Sequence, residues 1–266
     1  MPPRPRPLAE EPPNIRDRDW RIQAITTLAK PYVTPAGITY PEGTAIETLA
    51  FLKLAKRTHN MGLPSPVALY LSAATDAELQ GRKRLRRALR GIEDSRDETS
   101  GRLRRRESIL FDGLQNRAAA TVFAYSAIEA FANDSIPPDF AIERLDERTG
   151  ANESWAVELI ERRMSLAEKL DSVLPKANGL PSPKPTRAWA GFKWLQGMRD
   201  RLIHLKSKDW RGVGPDDASK WIWGHLLKEQ SRFAPWYARN IIFHFVQSDP
   251  PRWLSRYSRD FRKEFE

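Results

Sequence analysis

The sequence predicts an all-α fold, an antiparallel helical bundle with an additional N-terminal helical region. Three observations lead there. Apolar residues recur at three- and four-residue intervals along most of the chain, the period of a helix face. Residues 107–133 hold that pattern longest, and from Ala118 to Ala132 the segment is apolar almost all round, as in a buried helix. Strand-like alternation is scarce, no internal repeat is visible, and Pro and Gly punctuate the chain between helical stretches.

Residues 1–18 alternate Pro with Arg and acidic residues. They cannot bury enough apolar area to offset the entropy of ordering and read as a disordered tail. Residues 19–105 form the N-terminal helical region. A short helical pattern over 20–29 runs into Pro31, and the stretch to Pro41 is irregular or a small hairpin. Thr44 can cap a helix carrying Ile46, Leu49, Ala50 and Leu54, ending near Asn60 and Gly62. Pro64 and Pro66 break the chain, and Thr75 with Glu78 reads as a capping box opening a basic helix with Arg82, Lys83, Arg86, Arg87 and Arg90. With Arg102 and residues 104–106, this face is either a phosphate-tracking surface or a solvated helix face. The interruption by Glu93, Asp94, Asp97 and Glu98 favours the latter.

Residues 106–248 hold the bundle. On its long first helix Ser126, Glu129 and Asn133 form a narrow polar stripe, and a buried Glu129 would need a partner, for which Arg199 is the candidate. Pro137 and Pro138 end that helix. A second runs over 152–173 with Val157, Ile160, Met164, Ala167 and Leu170 on one face, stopped by Pro175 and Gly179. A third starts near Arg187 and continues through 194–210. After Gly212, Gly214 and Pro215, Asp216 or Asp217 caps a helix with Trp221, Ile222, Leu226 and Leu227, and Pro235 opens the last one. Pro250 and Pro251 close the ordered part, leaving 249–266 as a C-terminal extension.

At 266 residues the chain has ample length to bury a core, and its net charge of +10 favours polyanionic partners such as nucleic acid. The lack of cysteine excludes disulfides, thiolate metal sites and a cysteine nucleophile. The first residues lack a signal-peptide apolar stretch and no run is long enough to span a membrane, so a cytoplasmic location with no membrane partner is expected. There is no Gly-rich phosphate loop, zinc-binding HExxH pair, serine elbow or calcium loop, and four His leave little for a metal; no metal or cofactor is expected.

The stretch 194–210, WLQGMRDRLIHLKSKDW, carries Arg199, Asp200 and His204. On a helix Leu195, Met198, Leu202 and Leu205 make the apolar stripe, whereas Asp200 and His204 lie on the other side, four residues apart, where the carboxylate could hold the imidazole. Only the long side chain of Arg199 could join them. An imidazole that moves protons and a guanidinium that stabilises phosphoryl oxygens suffice for metal-free RNA cleavage by the ribose 2′-hydroxyl. The same spacing recurs in Arg239, Asn240 and His244, but Ile241, Ile242, Phe243, Phe245 and Val246 crowd that His and suggest a buried structural helix. Lys206 and Lys208, with Arg82, Arg86 and Arg90, are the RNA-contacting candidates. Of the tryptophans, Trp210 and Trp253 sit in turn-rich surroundings and are the candidates for base stacking; the others read as packing residues.

The segments AYSAIEAFAN (124–133), SLAEKLDSVLP (165–175) and WLQGMRDRLIHLK (194–206) resemble the HEPN domain, a higher eukaryote and prokaryote nucleotide-binding helical bundle found in many RNA-cleaving toxins and defence proteins. Arg199, Asp200 and His204 match its motif position by position; in one branch a Tyr follows the His by two residues, and Lys206 stands there in this chain. The resemblance implies a metal-independent endoribonuclease in a toxin-antitoxin or antiviral setting. His204 would be general base or acid, Arg199 would hold the phosphate, Asp200 would orient His204, and Glu129 would support Arg199. It further implies a homodimer with a composite site, and an antitoxin or inhibitory partner. Ile203, apolar and on the Arg199 side, would suit such an interface. The competing reading is a non-catalytic nucleic-acid-binding or regulatory helical protein.

Overall fold

The structure, a computed structural model, describes residues 18–23, 25–90, 106–145, 150–211, 221–227, 233–248, 250–255 and 257. The tail proposed for the first residues and the acidic interruption at 93–98 fall outside these, apart from Arg18. The described chain is rich in helix, as expected, but it also holds four antiparallel strand pairs, so the all-α expectation needs correction.

Strands, not helices, occupy residues 25–62. β1 (Ile25–Thr27) pairs with β4 (Ala45–Glu47), β2 (Tyr32–Val33) with β3 (Thr39–Tyr40), and β5 (Leu49–Leu54) with β6 (Arg57–Gly62). The expected helices over 20–29 and 44–60 are therefore absent. Ile46, Leu49, Ala50 and Leu54 fit helical spacing, yet Leu49 to Leu54 pair residue for residue with Gly62 to Arg57, and backbone pairing outweighs a local period. The turn joining these strands places both Ala55 (φ 48°) and Lys56 (φ 67°) in the left-handed region, as a two-residue type I′ turn requires. The β2–β3 hairpin turns at Gly37 (φ 79°), and Thr34 and Ile38 close it by a backbone bond of 2.9 Å.

Contacts divide the chain into two units, one of Met1–Leu69 with Ser248–Glu266, the other Tyr70–Gln247. In the first, Ile22, Trp253, Leu254 and Tyr257 are buried, and a Cβ on Gly62 would lie 2.7 Å from Ile22 Cδ1. Trp20 meets Tyr257 at 6.1 Å between ring centroids, and Arg252 donates to the carbonyls of Asp19 (3.1 Å) and Arg18 (2.9 Å). The segment expected as a loose extension after Pro250 thus supplies buried side chains, because Trp253, Leu254 and Tyr257 share one face of a helical turn.

The second unit begins within α1 (Pro66–Leu89). Thr75 and Glu78 lie inside this helix instead of capping it: Thr75 Oγ1 donates back to the Leu71 carbonyl, and Glu78 is buried. The start moves upstream because Ser65 Oγ accepts from the Ala68 N–H at 3.3 Å, with Pro66 in the first turn, where its missing N–H costs nothing. From Tyr70 onward α1 therefore groups with the later helices and not with the N-terminal region.

α2 (Glu107–Asp134) is the centre of this unit, with buried residues recurring along it from Gly113 to Ala132. Glycines let α1 and α2 approach: a Cβ on Gly81 would lie 2.6 Å from Arg117 Cγ, and one on Gly113 2.7 Å from Leu85 Cδ2. After α2, β7 (Ala141–Leu145) pairs with β8 (Asn152–Ala156), a hairpin where the sequence predicted the start of a helix at 152. α3 (Val157–Arg163) stops at Met164, and Ser165 restarts the chain with a capping box to Glu168, opening α4 (Leu166–Glu168), a π-helical turn (Lys169–Val173) and α5 (Leu174–Asn178). The predicted single helix over 152–173 is thus strand, helix and recapped helix, with Ile160 and Leu170 still in the core.

α6 (Arg187–Ile203) begins at the predicted residue, capped by Thr186 Oγ1 accepting from Trp189 N–H at 3.3 Å. α7 (Ser207–Trp210), α8 (Ile222–Leu227) and α9 (Ala234–Val246) follow. α6 runs antiparallel to α2, Phe192 stacking near Tyr125 while Met198 and Leu202 cluster with Leu114 and Ala118. α9 lies against both, with Phe245 beside Phe131 and Tyr237 so close to α6 that a Cβ on Gly191 would fall 2.0 Å from Tyr237 Cδ1.

Candidate functional site

The helix carrying the motif stops at Ile203 instead of continuing through 194–210 as expected, and a separate short helix holds Ser207–Trp210. Ile203 is the last helical residue of α6, and His204 is its cap, with φ −115° and ψ 59° and its N–H donating to the Asp200 carbonyl at 2.9 Å. The chain then reverses. Asp209 is buried and gathers the reversal: it accepts from Arg201 Nη2 at 2.6 Å and from the Lys206 N–H at 3.3 Å, and its carbonyl accepts from Trp221 Nε1 at 3.3 Å. Four of the expected apolar positions keep their role, since Leu195 and Met198 are buried and Leu202 and Leu205 pack against the same cluster.

Arg199 is half-buried at the end of α6. Its Nη1 donates to Asp200 Oδ1 at 3.0 Å, and its guanidinium lies 4.8 Å from the centre of the Tyr125 ring on α2. Asp200 is therefore engaged by Arg199, and its side chain makes no bond to His204; the expected orienting role is not what this geometry contains. His204 itself is exposed and its ring has no hydrogen-bond partner among the described residues. Ile203 beside it is 50% exposed.

Glu129 is a second correction. It is exposed rather than buried and forms no ion pair with Arg199 among the described residues. The cation whose field it shares is Lys169, a buried ammonium that donates to Asn133 Oδ1 at 2.9 Å and to the Glu161 carbonyl at 2.7 Å. Burial lowers the Lys169 pKa, and Glu129 and Glu161 oppose that shift. The polar stripe thus splits: Asn133 serves Lys169, and the charge of Glu129 acts on both Lys169 and Tyr125.

Tyr125 is the residue the motif did not reveal. It is buried, its hydroxyl bonds Gln196, and burial raises its pKa, with Glu129 and Asp200 adding to the rise and Arg199 opposing it. Tyr125 thereby seats Arg199 and stands among the charges of the site. The only sequence signal for it was its position four residues before Glu129 on the same helix face.

The second Arg and His differ in the feature that matters. His244 is half-buried, and its Nε2 meets the Pro181 carbonyl at 3.1 Å. Arg239 donates to Asn240 Oδ1 at 3.1 Å and lies over Trp236 and Phe243 at 5.3 and 4.9 Å. His244 is thus committed to the loop before α6, while the His204 imidazole is open to a ligand.

Of the other candidates, Arg82 donates Nε to Glu78 Oε1 at 2.8 Å and covers the Phe233 ring at 4.3 Å; Arg86, farther along α1, and Arg90, just past its end, are exposed, and Lys206 is exposed. The Lys208 and Trp210 side chains and Arg102, Arg104 and Arg105 lie outside the described residues. Trp253 is buried and offers no stacking face to bases. Among the described residues no three or more His, Cys, Asp or Glu group as a metal site would need, and no helix is long and apolar enough to cross a membrane. No family model matches the chain, and neither does any curated protein or solved structure.

Proposed function

We propose that this protein is a metal-independent endoribonuclease of HEPN type, cleaving RNA at Arg199 and His204. The observation that carries the reading is the contrast within one helix end: Arg199 is held by Tyr125 and Asp200, while the imidazole of His204 is exposed and uncommitted on the following residue turn. A positioned guanidinium and an accessible imidazole are what the reaction asks for. His204 takes the proton from the ribose 2′-hydroxyl, the 2′-oxygen bonds to phosphorus, and the bond to the 5′-oxygen breaks. Arg199 neutralises the charge on the phosphoryl oxygens.

The 5′-oxygen leaves as an alcohol and needs a proton. In the composite site we propose, the His204 of a second copy supplies it, with Ile203 from each copy at the contact. Resemblance to toxin and defence proteins extends the proposal to a growth-arresting or antiphage role under an inhibitory partner. The test is incubation of purified protein with RNA in excess EDTA. Fragments ending in 2′,3′-cyclic phosphate and 5′-hydroxyl support the reading; cleavage that requires a divalent metal sinks it. The alternative, a nucleic-acid-binding protein without catalysis, is favoured by one observation, the row of arginines along α1.

A further inference from the structure

α1, α2 and α8 enclose a groove of about 200 Å³ lined by Arg82, Leu85, Arg86, Leu89, Arg90, Arg117 and Leu227. Four of the seven lining residues are arginine. Arg82 and Arg86 come from α1 and Arg90 from the turn that ends it, at four-residue intervals, so on helical geometry they advance by about 6 Å per step along one edge. The fourth, Arg117, rises from α2 and is only 3% exposed.

The floor of the groove is built, not fluid. Glu78, 1% exposed, accepts from Arg82 Nε at 2.8 Å and faces Arg117 Nη2 at 3.2 Å. Arg117 Nη1 donates to the Leu226 carbonyl, and Arg82 rests on Phe233. Gly81 and Gly113 permit the close helix approach that puts Arg117 there. One carboxylate is thus shared by two guanidiniums, and Arg86 and Arg90 extend the charge outward. Burial lowers the Arg117 pKa and its neighbour Arg82 adds to that, while Glu78 opposes the shift.

We infer that this groove is a track for the backbone phosphates of a single-stranded nucleic acid, with Arg82 and Arg117 as its fixed floor and Arg86 and Arg90 as its outer contacts. The linear spacing favours successive phosphates of one strand over a lone phosphate, and Leu85, Leu89 and Leu227 supply apolar surface beside the charges. The groove also adjoins the motif helix: Leu226, whose carbonyl holds Arg117, packs in the same apolar cluster as Met198, the residue before Arg199. Arg117 lies on α2, and no spacing along α1 pointed to it. The assignment of RNA as the natural strand rests on the ribonuclease reading; the phosphate track does not.

The experiment measures binding apart from cleavage. A fluorescent single-stranded DNA oligonucleotide, which lacks the attacking 2′-hydroxyl, is titrated with full-length protein across a salt series. The variant Arg86→Glu/Arg90→Glu changes two exposed side chains and is compared with Arg162→Glu/Arg187→Glu, which makes the same charge change elsewhere on the surface. The groove variant should bind on the order of tenfold more weakly at moderate salt, with a salt slope reduced by about 1.4 for two lost phosphate contacts, while the control keeps most of its affinity. Equal weakening of both variants, or no binding by the unaltered protein at low salt, overturns the track. Loss of RNA cleavage with this binding pattern intact would count against the ribonuclease and leave the track standing.

Discussion

Arg201 donates to Asp209 Oδ1 at 2.6 Å, and this ion pair closes the chain reversal at whose head His204 stands. The carboxylate is buried and the guanidinium largely so. Replacing Arg201 by Met leaves a buried charge without its partner, a change that typically costs about 3–5 kcal/mol. Arg201→Met should lower the unfolding free energy read from urea titration by that order and reduce RNA cleavage although Arg199 and His204 are untouched. Unchanged stability would mean that the other contacts of Asp209 hold it without Arg201.

Tyr125 seats Arg199 through its ring face, so the ring and not the hydroxyl should matter for the guanidinium. A cation over an aromatic face contributes roughly 0.5–2 kcal/mol. Tyr125→Phe should keep kcat within a few-fold of the unaltered protein, and Tyr125→Leu should lower it by about tenfold, read by single-turnover RNA cleavage. Equal losses in the two variants would assign the effect to the hydroxyl bond with Gln196 instead.

Asp171 links the π-helical turn to the loop before α6, accepting from Ser182 Oγ at 2.7 Å and pairing with Lys184. Its pKa is lowered, first by the Lys184 bond and then, against some desolvation, by Ser182. A carboxylate whose folded pKa lies below its unfolded value of about 3.9 stabilises the fold above that pH and loses the contribution as pH falls through the folded pKa. Asp171→Asn should therefore flatten the acid limb of a urea-midpoint profile between about pH 5 and pH 2. Glu168, shifted the same way by Ser165 and Arg144, and Asp19, shifted down by Arg21, should keep their share of the slope.

The β5–β6 turn puts two L-residues at positive φ, Ala55 and Lys56, where each costs on the order of 1 kcal/mol. Ala55→Asn with Lys56→Gly matches the side chains to the turn. The double variant should raise the thermal midpoint of the first unit, followed by circular dichroism, and a fall would show that the turn is not type I′.

That hairpin also explains why the first unit was hard to read. Its turn lacks Asn-Gly, and its strands keep most side chains exposed, so neither a turn signature nor clean alternation appears in residues 49–62. The second unit was far more legible. The buried α2, the start of α6 at Arg187 and the Pro-opened α9 all follow from local caps and apolar period. At the candidate site, Arg199 and His204 were legible as a motif, whereas the neighbours expected for Asp200 and Glu129 are not the ones they have. Asp200 bonds the residue beside it, and Glu129 remains in solvent. Arg201 with Asp209, and Tyr125 with Arg199, meet through a chain reversal and a helix contact that no regular spacing records.

The claim at the centre of this account is that His204, and not His244, moves the proton. It is tested by RNA cleavage in EDTA with His204→Ala beside His244→Ala, each checked for folding by its urea transition. We predict that His204→Ala loses cleavage by at least about a hundredfold with its stability unchanged, as removal of a general acid or base does. His244→Ala, which gives up a bond to the Pro181 carbonyl, should cleave RNA and unfold slightly earlier. Full activity in His204→Ala would contradict the account.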